Sequence, residues 1–386
     1  MKFLVRIMAG ALLLACMAMQ QAGAQAAPEI GGQSVVTLHR AVASKAVAEF
    51  TGVTIAPGRG MDVLEITANL PGKGNINVLA TPGTAAAAKM VAQHDDPSGM
   101  TNLSIGAAFL IPYPNRVRGK ATPDGKSITT EWKGHTLTLP ASPWGRPSDE
   151  RPAIHGLIFK SRAEDVQVKD IPDGQQMTGV IHAGDFGGHW LSKTDLKFTI
   201  TLTGSAVDVT IDARNVGNEA EPMAIGWHPG FALPSGNRAQ VRVQLPASSI
   251  AEVENYQNVL PTGKIKPVDG TRFDLRAEGG VVLGKSAFDD NWSGLERKKG
   301  SVTVRVIDPA AHYGVSVAAL SPTIKTIQLY TPLAMPMVAV EPQFNFVDPF
   351  GKEWGSMDTG MVTLKPGQST KWHVRLGLFE PGEAVR

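Results

Sequence analysis

The chain has 386 residues, with 37 Lys and Arg against 35 Asp and Glu and a single cysteine, Cys16. So even a balance gives no electrostatic drive toward nucleic acid or an anionic membrane surface. One cysteine cannot close an internal disulfide, so stability has to come from a core, and a chain this long can bury a large one.

Residues 1–26 have the layout of a secretory signal peptide. Lys2 and Arg6 come first, then an apolar run over 7–19, then the small-residue patterns Ala22-Gly23-Ala24 and Ala24-Gln25-Ala26. The run is too short to anchor in a bilayer. Leu13-Leu14-Ala15-Cys16 also resembles a bacterial lipobox, but Met17-Ala18-Met19 stay apolar past the cysteine, which favours ordinary cleavage near residues 24–26. The mature protein is expected in the periplasm or outside the cell. Losing Lys2 and Arg6 leaves it 35 basic residues against 35 acidic ones. No later apolar stretch approaches the ~18 residues of a spanning helix, so no membrane span is expected. The partner such a composition suits is a small neutral molecule.

Residues 27–33 read as a flexible lead-in, and 34–386 as one domain, because no Ser/Gly/Pro-rich linker divides them. Residues 84–94, rich in alanine and closed by Asp95-Asp96-Pro97, form the one predicted helix. Elsewhere Gly, Pro, Asn or Asp punctuate runs of Val, Ile, Thr and Leu about every eight to twelve residues. Residues 196–203 and 207–213 alternate with period two across Gly204-Ser205 and predict a hairpin. Residues 301–307, 324–330 and 371–378 read as further strands. The cluster Arg297-Lys298-Lys299 reads as a solvated turn. Many short strands between turn signals imply an all-β body, a large antiparallel β-sandwich or barrel.

Five strings crowd polar side chains beside Pro, Gly and aromatics: FLIPYPNRVRG (109–119), RPAIHGLIF (151–159), IGWHPGFALP (225–234), SAFDDNWSGL (286–295) and VAVEPQFNF (338–346). Loops on a rigid sheet commonly carry binding groups. Each string also has an ordinary structural explanation. Asn115-Arg116 could be a β-turn after two prolines, and His155 a turn histidine before Gly156. His228 could be a core histidine bonded to backbone, and Asp289-Asp290 an Asx-turn. Glu341 resists such an explanation, because a glutamate ending the apolar run 337–340 must be solvated or paired. His228 and Glu341 together could supply the proton donor and acceptor of acid–base chemistry. A free histidine titrates at about 6.5 and a free glutamate at about 4.3, and partial burial would raise the second.

The order and contexts of these strings resemble the aldose 1-epimerase (galactose mutarotase) family over most of the mature chain. The carriers are the Asn115-Arg116 loop, His155-Gly156, His228 followed by aromatic Phe231, Phe288-Asp289, and Glu341 at a strand end. The closing GMVTLKPGQSTKWHVRLGL (360–378) resembles the family's final segment, while the N-terminal third matches loosely. The resemblance implies a galactose mutarotase-like supersandwich, interconversion of the α and β anomers of a free aldohexose, and no cofactor or metal. It implies His228 as the acid at the ring oxygen, Glu341 as the base at the anomeric hydroxyl and His155 as a second donor. Asn115, Arg116 and Asp289 would bind sugar hydroxyls. Trp227, with Phe231 or Trp292, would offer a ring to the sugar's apolar face, core packing being the alternative.

One position departs from the family's His-x-Tyr-Phe: here it is His228-Pro229-Gly230-Phe231, where glycine would widen the pocket or change the sugar that fits. Two other functions stay open. One is an exported carbohydrate-binding protein without catalysis. The other is a glycoside hydrolase or lyase, hydrolysis requiring two carboxylates roughly 5–9.5 Å apart, Glu341 with Asp289 or Asp290. The preferred sugar and the oligomeric state are not specified by the sequence.

Overall fold

The computed structural model describes residues 27–44, 46–142 and 151–381. The expected leader and Cys16 lie outside the described residues.

Period-two alternation builds the larger sheet. Thr194–Thr203 buries Leu196, Phe198, Ile200 and Leu202, and Ala206–Asn215 buries Val207, Val209, Ile211 and Ala213. The two pair antiparallel around Gly204-Ser205, Phe198 opposite Ile211. A slip of one residue would turn every one of these side chains to solvent, so burial fixes the register. Ser369–Phe379 pairs along the same strand, Trp372 opposite Ile211, and so brings the C-terminal segment to the middle of nine strands. The strands expected near 301–307, 324–330 and 371–378 are Val302–Asp308, Thr326–Tyr330 and Ser369–Phe379.

A second sheet of eight strands runs in the order Pro261–Pro267, Ala247–Val253, Asp289–Leu295, Thr326–Tyr330, Met337–Gln343, Gly226–His228, Ala108–Leu110. Gly230–Ala232 also pairs with Met337–Gln343. The sheets meet through aromatic rings. Phe109 lies 5.2 Å from Phe198, and Trp227 6.3 Å from Trp372. Side chains interdigitating between two antiparallel sheets make this a large β-sandwich. One apolar cluster runs through it from Leu38 to Leu376.

The helix Thr84–His94 forms as expected, whereas the short helix Asn102–Ile105 carries no periodic signal. No helix among the described residues is long and apolar enough to cross a membrane. Three local expectations are corrected. Residues 27–33 are not a loose lead-in, because Glu29–Ile30 pairs with Gln33–Ser34 and Ile30 is buried with Leu64 and Ile105. Arg297 is not a solvated turn residue: it donates to the carbonyls of Gly300, Ala319, Ser321 and Ile324, leaving Lys298 and Lys299 exposed. Asp289-Asp290 opens the strand Asp289–Leu295 rather than an isolated turn.

Candidate active site

Register in the eight-stranded sheet decides which side chains meet. Gly226 pairs with Gln343 and Gly230 with Ala339, which sets His228 across from Glu341. Gln328 pairs with Glu341, Tyr330 with Ala339, and Asp289 with Tyr330. Cross-strand partners share a face. His228, Glu341, Gln328, Tyr330 and Asp289 therefore emerge together, on the side away from the aromatic core. The Nε2 of His228 is 3.3 Å from Oε1 of Glu341.

Asn115, Arg116 and His155 arrive from a small ladder, Arg116–Val117 against Ala153–Ile154. Its two ends clasp each other: the His155 amide donates to the Asn115 carbonyl at 2.8 Å, and the Asn115 amide donates to His155 Nδ1 at 3.2 Å. Both residues take a left-handed φ of 65°, which asparagine tolerates well. Gly156 follows at φ 90°, and a Cβ there would lie 2.2 Å from the Ile111 carbonyl oxygen. Only glycine lets this loop close.

These groups line a cavity of about 400 Å³, within the usual range for small-molecule sites. Four of its side chains form a closed ring. Asn115 Nδ2 donates to Gln328 Oε1 at 3.0 Å, Gln328 Nε2 to Asp289 Oδ1 at 2.7 Å, and Arg116 Nη2 to Asp289 Oδ2 at 3.0 Å. Arg116 Nη1 completes it on Asn115 Oδ1 at 3.1 Å. Gln343 joins this ring to Glu341: its Oε1 accepts from Asn115 Nδ2 at 3.4 Å, and its Nε2 donates to Glu341 Oε2 at 2.9 Å. A connected network of this kind fixes the orientation of every member.

Burial lifts the Glu341 carboxyl well above the usual range. Asp289 pushes the same way, while Arg116 and the Gln343 hydrogen bond oppose. Burial lowers His228, against the pull of its backbone hydrogen bond and Asp289, with Arg116 adding to the fall. The two shifts have one cause: a dry cavity disfavours charge on either group, so the pair holds a single proton between them. His155 is held neutral by burial first, then by His228 and Arg116. Because Nδ1 accepts from Asn115, the His155 proton sits on Nε2. The His155 and His228 rings stand edge to face, 5.4 Å apart.

His228, Glu341, His155, Asn115, Arg116 and Asp289 all line the cavity. Trp227 does not, and its expected role against the sugar is corrected. Neighbours in a strand face opposite sides, so with His228 in the cavity Trp227 turns to the core. There it stacks on Phe109 at 5.8 Å and donates from Nε1 to the Ala107 carbonyl. Phe231 and Trp292 are fully buried as well. Asp290 faces away and accepts from Tyr256 at 2.7 Å, which leaves Asp289 as the partner carboxylate in the cavity. Gln328, Tyr330 and Gln343 were not foreseen. Gln343 stands two residues beyond Glu341 and so on its face, and Gln328 interrupts an apolar strand, signals that period two could have exposed. Among the described residues no group of three or more His, Cys, Asp or Glu is placed to hold a metal ion.

Fold and cavity together describe a galactose mutarotase-like β-sandwich. The chain belongs to the aldose 1-epimerase family, whose sequence model matches residues 74–377. Human galactose mutarotase is 31% identical over 113 residues, 28% of this chain and 32% of that protein. The rat galactose mutarotase is 28% identical over 147 residues, 36% of this chain and 41% of that one. The match thus spans about a third to two fifths of the length of these curated relatives. Among solved structures, a galactose mutarotase-like protein from Clostridium acetobutylicum superposes with a TM-score of 0.68 at 18% identity, covering 90% of this chain and 99% of that one. An aldose epimerase homologue from C. elegans gives 0.64 at 15% identity, covering 86% and 98%. At these identities the likeness is one of fold.

Proposed function

We propose that the protein is an isomerase, an aldose 1-epimerase that interconverts the α and β anomers of a free aldohexose. His228 protonates the ring oxygen while Glu341 takes the proton of the anomeric hydroxyl. The C1–O5 bond breaks, the aldehyde forms, and rotation about C1–C2 presents its other face. On closure Glu341 returns its proton to the new anomeric oxygen, and His228 recovers one from the attacking hydroxyl. The His155 Nε2–H steadies charge at the ring oxygen. The Asn115–Arg116–Asp289 side of the ring binds sugar hydroxyls, Arg116 as donor and Asp289 as acceptor. Export through the leader over residues 1–26 belongs to the same proposal.

The observation that carries this reading is the 3.3 Å contact between His228 and Glu341 inside a buried polar cavity. The ring oxygen and the anomeric oxygen share one carbon, so an acid and a base this close can serve both. Moving the shared proton onto His228 separates charge, and hydrogen bonds from a bound sugar would offset that cost.

Polarimetry of freshly dissolved α-glucose and α-galactose with the purified protein tests the reading. His228→Ala and Glu341→Ala are each expected to slow interconversion about 10²–10⁴-fold while far-UV circular dichroism stays native. A folded variant with the wild-type rate removes that residue from the mechanism. Sugar binding without interconversion by the wild type would favour a carbohydrate-binding protein instead.

A further inference from the structure

Asp348 follows the strand of Glu341, Met337–Gln343, and takes hold of the strand that carries Arg116. On one side that strand, Arg116–Val117, pairs with Ala153–Ile154. On the other side a single residue meets it. The Asp348 amide donates to the Arg116 carbonyl at 2.8 Å, and the Arg118 amide donates to Asp348 Oδ1 at 3.0 Å. Amide and carboxyl of one residue thus stand in for a neighbouring strand. Asp348 keeps a left-handed φ of 49°, and Trp354 braces it by donating from Nε1 to the carbonyls of Val347 and Asp348. Arg116, so held, reaches Asn115 and Asp289 in the cavity.

The second oxygen of the same carboxyl faces another acid. Asp348 is 1% exposed, and its Oδ2 meets no N–H or O–H donor. Oε1 of half-buried Glu353 is likewise enclosed without a donor. The two carboxyls lie within hydrogen-bond reach of each other. Ionised carboxylates only accept, so this contact requires a proton on one of them. Gly351 permits the approach, since a Cβ there would lie 2.3 Å from Glu353 Oε1. Burial drives the Asp348 carboxyl up to about 8, with Glu353 adding to the rise. The Arg118 amide and, more weakly, its guanidinium oppose it. That guanidinium is paired with Glu254 at 2.6 Å. Behind the turn Lys352–Trp354 lies the strand Pro261–Pro267, whose Gly263 touches the Glu353 backbone. Its Lys264 and Lys266 stand exposed and act on Glu252.

We propose that Asp348 is a positioning residue for Arg116, and that it works as half of a carboxyl pair holding one proton with Glu353. The link to Arg116 rests on the epimerase reading, in which that arginine binds sugar hydroxyls; the shared proton does not. The proton lets Glu353 latch its turn onto Asp348 without setting two negative charges together in a buried place. Asp348→Asn preserves both contacts, because Oδ1 still accepts from the Arg118 amide and Nδ2 donates to a Glu353 carboxylate. Asp348→Gly removes both without backbone strain, since glycine adopts this φ freely.

These two variants and Glu353→Gln provide the test. In Asp348→Gly the KM for glucose or galactose is expected to rise about tenfold with kcat little changed, the pattern of lost substrate binding. The amides of residues 116–118 should exchange hydrogen about tenfold faster, and Asp348→Asn should restore both readings. Urea unfolding reads the proton. The folded pair keeps it above the unfolded pKa values of about 4, so its stabilisation is lost as pH rises toward the folded value of about 8. Folded Glu353→Gln needs no such proton. The folding constant of the wild type should therefore fall against that of Glu353→Gln by about tenfold per pH unit between about pH 6 and 8. KM and exchange unmoved in Asp348→Gly, or moved as far in Asp348→Asn, overturn the proposal, and so does a folding ratio constant with pH. A wild type that interconverts no sugar removes the epimerase reading instead, and exchange and unfolding still decide the pair. The unfolding comparison stands even if Asp348→Gly fails to fold.

Discussion

Glu341 is pulled in two directions: burial drives its pKa up, and the Gln343 amide at 2.9 Å restrains it by favouring the carboxylate. If His228 and Glu341 share one proton, kcat/KM falls at high pH as the Glu341 carboxyl ionises and that proton is lost. Removing the donor in Gln343→Met leaves the carboxylate less stabilised, so its pKa climbs. The alkaline limb of the pH profile should then move to higher pH by about one pH unit, the worth of one hydrogen bond to a charged group. A limb that stays in place would mean that another group titrates. At this scale much of the site could be read from sequence, because polar residues crowded among prolines and glycines are costly unless they have work to do. Trp227 was misplaced for a physical reason also present in the sequence: it precedes His228 in a strand, and the two cannot face the same way.

Elements with a strong period were legible, and short ones were not. The hairpin around Gly204-Ser205 and the helix Thr84–His94 repeat their pattern for two turns or more. Glu29–Ile30 and Asn102–Ile105 are too short to show any period. The brief strand Glu221–Met223, paired with Val362–Leu364, also went unnoticed and holds a fully buried carboxyl. Burial pushes Glu221 up to about 7, against the Thr194 hydroxyl that lies 3.0 Å from both its oxygens. Its folded pKa is above the unfolded one. The stabilisation from its bound proton is thus complete below the unfolded pKa and lost as pH rises through about 7. Glu221→Gln keeps the shape without the ionisation. It should gain about 1–3 kcal/mol over the wild type near pH 8 and little near pH 5, by urea unfolding. An equal effect at both pH values would show that the carboxyl does not titrate in this window.

Across the whole molecule, the strands could be read but their order could not. His228 and Glu341 meet because Gly226–His228 pairs with Met337–Gln343, a contact between segments more than a hundred residues apart that no local pattern announces. Behind that contact stand the rings that join the two sheets. Trp372, from the nine-stranded sheet, packs edge-on against Phe109 and Trp227, each 6.3 Å away. Its Nε1 also donates to the carbonyl of Pro342, the residue after Glu341. The strand that carries Glu341 is therefore held from the far side of the sandwich. Trp372→Ala should cost about 3–5 kcal/mol, as large-to-small changes in packed cores do. Because one apolar cluster spans both sheets, residues 34–386 are expected to unfold as one domain. Circular dichroism and tryptophan fluorescence should then report the same urea midpoint in the wild type and the same lowered midpoint in the variant. Two separated transitions would instead divide the chain into independent units, and the sheets would not depend on each other for the alignment of His228 with Glu341.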